Sequence, residues 1–179
     1  MAIFSFHDQV ASYALPWAKW RERNDANCPG IVAVALIYQT NSQGQDRVLL
    51  LRRVAHDYLG ERWEPPGGTM DADDESILHA CARELREEAG LTATSFVCVV
   101  SPGFDWIHDN GVRRVFFLAR VKEGEQVKID PEEHTEYTWA TEEEVKDERM
   151  ASGREMPVTS SGVQRAILEG FRRNRTEAE

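Results

Sequence analysis

The chain has little that would stitch it together covalently or attach it to a surface. Its three cysteines, Cys28, Cys81 and Cys98, cannot all pair and share no metal-ligand spacing. A disulfide framework is therefore not expected, and a reducing compartment is the simpler reading. No apolar run approaches the roughly 20 residues of a membrane span. The opening stretch MAIFSFHDQVASYALPWAKW lacks the basic start and long apolar middle of a secretory signal. These absences predict a cytoplasmic protein with no membrane partner, a nuclear location being left open. Positive charge is also short, since 21 Lys and Arg against 31 Asp and Glu give a net charge of −10. That balance excludes nucleic-acid binding by bulk attraction. A phosphate-bearing ligand would have to be held by a local device, a metal ion or a few arginines.

What is present is enough for one ordinary domain, with 41% apolar and 29% charged residues over 179 positions. Residues 7 to about 22 read as an amphipathic helix bent or broken near Pro16, and NCPG then punctuates the chain. IVAVALIY (31–38) and RVLLLRRV (47–54), separated by the turn NSQGQD, predict a hairpin of buried strands. EPPGG is expected as loop, because its prolines and glycines suit neither helix nor central strand. A helix follows from Glu75 to about Ala89, stopped by Gly90. Strands are predicted at 94–100 and 113–121, then a short one at EYTWA. TEEEVKDE reads as a helix capped by Thr141, and a last helix carries Val163, Ile167 and Phe171 four apart. Only the tail RNRTEAE reads as frayed. This order of elements implies an α/β layered sandwich with a mixed sheet.

The helix at 75–89 holds the unusual feature. Projected at about 100° per residue, Ile77, Leu78, Cys81, Ala82, Leu85 and Ala89 form a buried stripe. Glu88 falls inside that sector, Glu84 at its edge and Glu87 just beyond. Glu84 and Glu88 are like charges one turn apart, which costs about 0.2–0.5 kcal/mol. Negative charge at a helix C-terminus opposes the dipole by about 0.3–1 kcal/mol per group, and burial of an unpaired charge adds several kcal/mol. A cation is required. In projection Arg83 and Arg86 point away from Glu84 and Glu88, so a divalent ion is the expected partner. Mg²⁺ takes hard oxygen ligands, often one or two carboxylates together with substrate phosphates.

These residues resemble the Nudix box, the signature of the Nudix hydrolases: Gly, five residues, Glu, seven residues, then Arg-Glu-apolar-any-Glu-Glu-any-Gly-apolar. Glu75, Arg83, Glu84, Leu85, Glu87, Glu88, Gly90 and Leu91 occupy its fixed positions, and WEPPGG precedes them in a strand–loop–helix context. One departure stands out, because six residues separate Gly68 from Glu75 instead of five. Reading Asp74 as the acid restores that spacing but breaks the seven-residue step to Arg83. The extra residue is therefore expected as a loop bulge in TMDADD.

The resemblance implies a Nudix-type α/β/α sandwich with a mixed β-sheet. It implies a single domain over 1–179, with an N-terminal helical extension over about 1–28 and a C-terminal helix over about 158–174. The implied cofactor is Mg²⁺ or Mn²⁺ on Glu84 and Glu88, with Glu87 as a further ligand or water-activating group and the Gly68 carbonyl close to the ion. Glu75 and Arg83 become an orienting pair behind the ligands, with an ordinary surface ion pair as the competing reading. Arg52 and Arg53 are candidates to bind diphosphate. By strand alternation only one of them can face the site, and the other should be solvent-exposed. Among the acids of DPEEHTEYTW, Glu133 is the first choice for a ligand or general base, ahead of Glu132 and Glu136. Trp106, with Phe104 and His108, is a candidate stacking wall, although a core-anchoring role is commoner for a Trp; Trp63 is expected to pack under the loop.

The implied reaction is hydrolysis of a diphosphate in a small molecule, a nucleoside diphosphate linked to another moiety. Metal would neutralise phosphate oxygens and acidify an attacking water. An isoprenyl diphosphate substrate and a non-catalytic Nudix-fold binding module are the alternatives. An isomerase of the same fold expects a cysteine motif that is absent here. A homodimer is compatible with the extra surface of the N-terminal helix.

Overall fold

An apolar, β-branched run without a breaker builds the spine of the molecule. It forms most of β2 (Ile31–Thr40), at the centre of a mixed sheet. The computed structural model describes residues 4–100 and 111–177, together with the backbone of 105–106. Along β2, β8 (Arg113–Val121) runs parallel from Ile31 to Ile37, and β3 (Asp46–Arg53) returns antiparallel from Tyr38–Thr40. The short β5 (Gly67–Thr69) pairs antiparallel with Val32–Val34. Outside β8 lie β6 (Ala93–Val99), antiparallel to it, and then β1 (Ser5–Phe6), parallel to β6. Outside β3 lie β4 (Trp63–Glu64) and β9 (His134–Thr141), both antiparallel to it. The two-residue β7 (Asp105–Trp106) pairs with β8.

Successive side chains of a strand point to opposite faces, and β2 uses both. Ala33, Ala35 and Ile37 enter a core shared with α2 (Ile77–Ala89), while Val34, Leu36 and Tyr38 enter one shared with α4 (Ser161–Thr176). Helices on both faces complete the α/β/α sandwich. On the second face Val163, Ile167 and Phe171 are all buried, each stabilising the packing by about 1.5–3 kcal/mol. Ser160 caps α4 by accepting the Val163 N–H at 3.2 Å. The helix continues to Thr176, so most of the tail expected to fray is helical. Arg173 and Arg175 suit its C-terminal dipole, and Arg175 also pairs with Glu142 at 3.0 Å.

The first face is covered by the N-terminal segment. The break predicted at Pro16 is present: a 3-10 helix spans Asp8–Ala14 and α1 covers Trp17–Asn24. Proline lacks an N–H and suits the boundary where none is needed. Val10 and Trp20 are fully buried, and the Tyr13 ring meets Phe117 edge-on, with centroids 5.1 Å apart. The EPPGG stretch, expected as loop, contributes the ends of β4 and β5 and leaves only the two prolines as link. Cys28, Cys81 and Cys98 are free and buried, and burial pushes each thiol above its ordinary pKa. Among the described residues no helix is long and apolar enough to cross a membrane.

Candidate functional site

Ser76 starts α2, its hydroxyl accepting the His79 N–H at 3.4 Å. Gly90 ends the helix at a φ of 68°, which a side chain would disfavour. Between these ends Ile77, Leu78, Cys81, Leu85 and Ala89 pack into the core, and Glu88 is buried with them at 6% exposure. Glu84 is half-buried and Glu87 exposed. The expected order of the three acids from core to solvent is thus the observed one.

The two glycines of β5 lie against those acids. The Gly67 N–H donates to Glu88 Oε2 at 2.7 Å. A Cβ on Gly68 would sit 2.5 Å from Glu84 Oε1, and one on Gly67 would sit 2.5 Å from the Ala33 carbonyl oxygen. At Gly67 the clash is with the backbone of β2, so only glycine fits there, whereas at Gly68 it is with the Glu84 carboxylate, which would have to move. Burial raises the pKa of Glu88 well above the ordinary value; the Gly67 N–H opposes this, and Glu64, Glu84 and Glu133 add repulsion in the same direction. Burial also raises Glu84, with Arg83 pulling it down and Glu87 and Glu133 pushing it up.

Two expectations about Arg83 are corrected. The guanidinium does not point away from the acids: Nη1 donates to Glu84 at 2.8 Å and to Glu87 at 2.9 Å. A helical projection gives the direction of Cβ, whereas this side chain is long enough to lie along the helix. It does not reach Glu88, whose carboxylate has the Gly67 N–H as its hydrogen-bond donor. Nor is Glu75 its orienting partner. Asp74 receives Nε at 3.1 Å and Nη2 at 2.9 Å, a bidentate grip, while Glu75 is exposed and lies 3.5 Å from His79. Burial works against ionised Asp74, but hydrogen bonds from Arg83 and the Asp71 N–H hold its pKa below the ordinary range. The extra residue therefore falls after the acid, at Glu75, and not in TMDADD. The spacing from Gly68 to Asp74 is the regular one, and the extra residue sits in the bend ahead of the Ser76 cap, in loop as expected but one place beyond TMDADD.

Strand β9 brings further groups to the same place. Glu133, just before the strand, and His134, its first residue, each offer a donor atom that lies within 4.8 Å of the other and of a Glu88 oxygen. Glu133 is thus beside Glu88 as anticipated, whereas Glu136 is held elsewhere. Arg52 donates to Glu136 at 2.9 Å, and Arg154 grips it through two nitrogens, one at 2.8 Å. A register shift between Arg52 and Arg53 in the β3–β9 ladder sets His134 opposite Arg53 and Glu136 opposite Arg52. Arg53 is the arginine facing the acids. It bonds Glu64 and Asp57 and donates to the Tyr58 carbonyl at 2.8 Å; burial works against its charge, but Glu64, then Asp57 and Glu88, raise its pKa. Arg52 is not solvent-exposed as expected. Its side chain is 25% accessible and ion-paired to Glu61 and Glu136, because this strand end is covered by the loop before β4.

Sequence reasoning set Asp74 aside and missed Glu64 and His134. Glu64 was legible in principle. Trp63 is buried in the α4-side core, and alternation then turns Glu64 to the α2 side. His134 carried a weaker signal, a histidine adjoining the favoured acid. The side chains of Phe104, Trp106 and His108 lie outside the described residues, and so does the stacking wall expected of them.

The chemistry that the arrangement offers is to hold a compact cation among Glu88, Glu133 and His134, with Glu84 near enough to add its charge. A family model described as NUDIX domain matches residues 30–158. No curated protein matches the chain. Among solved structures, the MutT protein from Methanosarcina mazei Go1 is 28% identical with a TM-score of 0.59, over 82% of this chain and 94% of that one. An Ap4A hydrolase from C. elegans, in a binary complex, is 20% identical with a TM-score of 0.59, over 83% and 98%. The NUDIX domain of Shewanella oneidensis NrtR, in a cocrystal with ADP ribose, is 18% identical with a TM-score of 0.63, over 80% and 87%. With the family model spanning residues 30–158 of 179 and enclosing the whole acid cluster, this chain belongs to the NUDIX domain family.

Proposed function

We propose that this chain is a cytoplasmic, metal-dependent hydrolase that cleaves the diphosphate linkage of a nucleoside diphosphate joined to another moiety, using Mg²⁺ or Mn²⁺. On this reading residues 1–179 act as one domain, with the N-terminal helices as an extension. The observation that carries the proposal is Glu88, a carboxylate at 6% exposure whose one hydrogen-bond partner among the described residues is a backbone N–H, with three other acids around it. A fold keeps such a group at a cost, and the cost is relieved when a cation enters.

Glu84 and Glu88 would hold the ion, with Glu133 on the facing strand and Glu87 at the wet edge as a further ligand or water-activating group. A bound divalent ion supplies charge neutralisation for phosphate oxygens and makes water more acidic. Arg53 presents a guanidinium beside the acids and is the residue assigned to the diphosphate, for which it would exchange its pairing with the more exposed Asp57; Arg52 is ion-paired as well, but to Glu61 and Glu136, away from the cluster. Arg83 and Asp74 act through Glu84 and Glu87 by fixing where those carboxylates point. A nucleotide is favoured as substrate because the solved relatives named for a small molecule are named for Ap4A and ADP ribose.

A panel of ADP-ribose, dinucleoside polyphosphates, sugar nucleotides and prenyl diphosphates, assayed with Mg²⁺ or Mn²⁺ for phosphate release and product mass, tests this directly. Metal-dependent cleavage of a nucleotide and its loss in Glu88→Gln are expected. Absence of cleavage across the panel would point to a binding module, and cleavage of prenyl diphosphates alone would reassign the substrate.

A further inference from the structure

We propose that His134 is a direct nitrogen ligand in the metal site, with Glu88 and Glu133, and that it biases the site toward a first-row transition ion such as Mn²⁺ over Mg²⁺. This rests on the metal dependence argued above and goes beyond it by assigning a ligand and a preference. His134 is 1% exposed, and neither ring nitrogen has a hydrogen-bond partner. Glu64 Oε1 lies 3.8 Å from Nε2, beyond hydrogen-bonding range, and that oxygen is already bonded by Arg53. Buried imidazoles normally satisfy at least one nitrogen, and an orphan is costly enough to require an explanation.

The ring is orphaned at the one place where a ligand atom is needed. One donor atom each from Glu88, Glu133 and His134 lie within 4.8 Å of one another. An ion about 2.1 Å from its ligands spaces them about 3–4.2 Å apart. Glu133 is exposed and free to close the difference by rotating its side chain. The backbone behind these groups is fixed. The Lys128 N–H bonds the Ala89 carbonyl at 2.9 Å, and the Asp130 N–H bonds the Glu88 carbonyl at 3.3 Å. The His134 N–H bonds the Asp130 carbonyl at 2.8 Å, and the Glu133 carbonyl accepts the Val54 N–H at 2.9 Å. The end of α2, the start of β9 and the end of β3 are thereby clamped together, so the ligand set is held ready before any ion arrives.

Ligand chemistry sets the preference. Mg²⁺ takes hard oxygen donors and keeps its waters, whereas imidazole favours the transition ions. A neutral nitrogen also completes the set without adding another negative charge to Glu64, Glu84, Glu88 and Glu133.

The test uses the full chain. Electron spin-echo modulation of the Mn²⁺-loaded protein should show a directly bound imidazole nitrogen. Calorimetric titration of His134→Gln should show Mn²⁺ affinity falling about tenfold or more, with Mg²⁺ affinity changed less than about twofold, since hard-oxygen binding does not use the ring. If Mn²⁺ binds the wild type and Glu88→Gln abolishes that binding, yet no nitrogen coupling is seen, His134 is a packing residue and the metal assignment stands without it. If the wild type binds no Mn²⁺ at all, the metal dependence itself falls. A His134→Gln variant that does not fold leaves the decision with the wild-type spectrum.

Discussion

Two helix ends in this protein carry three crowded acids each, and they treat them oppositely. Helix α3 (Glu142–Asp147) begins with Glu142, Glu143 and Glu144, where the helix dipole welcomes negative charge. Glu144 completes a capping box with Thr141 and also accepts the Ala151 N–H at 2.7 Å; Glu142 pairs with Lys146 and Arg175 at 3.0 Å each. Burial opposes ionisation of both, but these bonds prevail and hold both carboxyls below their ordinary pKa. Helix α2 ends with Glu84, Glu87 and Glu88, against the dipole, and burial raises Glu84 and Glu88. Acidic composition is the same in both places. What differs is whether the fold supplies the partner, and at α2, among the described residues, no side-chain cation hydrogen-bonds Glu88.

That contrast can be broken in several ways. The largest effect is expected from Glu88→Gln, which keeps shape and removes charge. Turnover should fall about 100-fold or more, because a metal that stabilises the transition state by several kcal/mol is worth at least that much. In chelator the same variant should melt higher than the wild type. The sign follows from the raised pKa. Below about pH 4.3 the folded and unfolded forms are both protonated and Glu88 costs nothing. As pH rises the unfolded form ionises first, so stability is lost progressively until the folded carboxyl ionises as well. The gap between variant and wild type should therefore widen from about pH 4.5 upward, and it should close or reverse when Mn²⁺ saturates the wild type. Melts across pH with chelator or metal check both statements.

Asp74→Asn should lower turnover about 10- to 100-fold by loosening Arg83, and hence Glu84 and Glu87. Glu75→Gln should stay within about twofold, as the substitution of an exposed residue without ligands behind it. Equal losses in the two variants would restore Glu75 as the orienting acid. Gly68→Ala should reduce metal affinity about tenfold, comparable to other disturbances behind a ligand. The three atoms nearest the added methyl all belong to the movable end of Glu84, so little stability should be lost. The smallest functional effect belongs to Thr141→Ala on the other helix. It should cost about 1 kcal/mol, a melting shift of about 2–4 °C for a chain of this size, with turnover unchanged. A loss of turnover there would mean that the two acidic ends are not independent.

The sequence reached some of these residues more easily than others. Glu84 and Glu88 were legible because helical periodicity fixes which positions face the core, and the strands of the sheet because apolar runs and breakers are local signals. The reach of Arg83 was not legible, since periodicity describes Cβ directions and not where a long side chain ends. The role of Asp74 was hidden by an insertion that could have fallen on either side of it. His134 lies 46 residues after Glu88 in the chain, and no local pattern reports that their side chains meet.

By itself, then, the sequence determined the layered fold and the acidic face of α2, because hydrophobic period and charge placement act over a few residues. Only the tertiary structure decided which arginine faces the acids, which carboxylate holds Arg83 and which groups on β9 complete the set. The first and last depend on a register shift between β3 and β9 and on backbone hydrogen bonds that join the end of α2 to the segment leading into β9; these are long-range pairings, settled only when distant segments pack against one another. The second depends on the loop that folds Asp74 back onto Arg83.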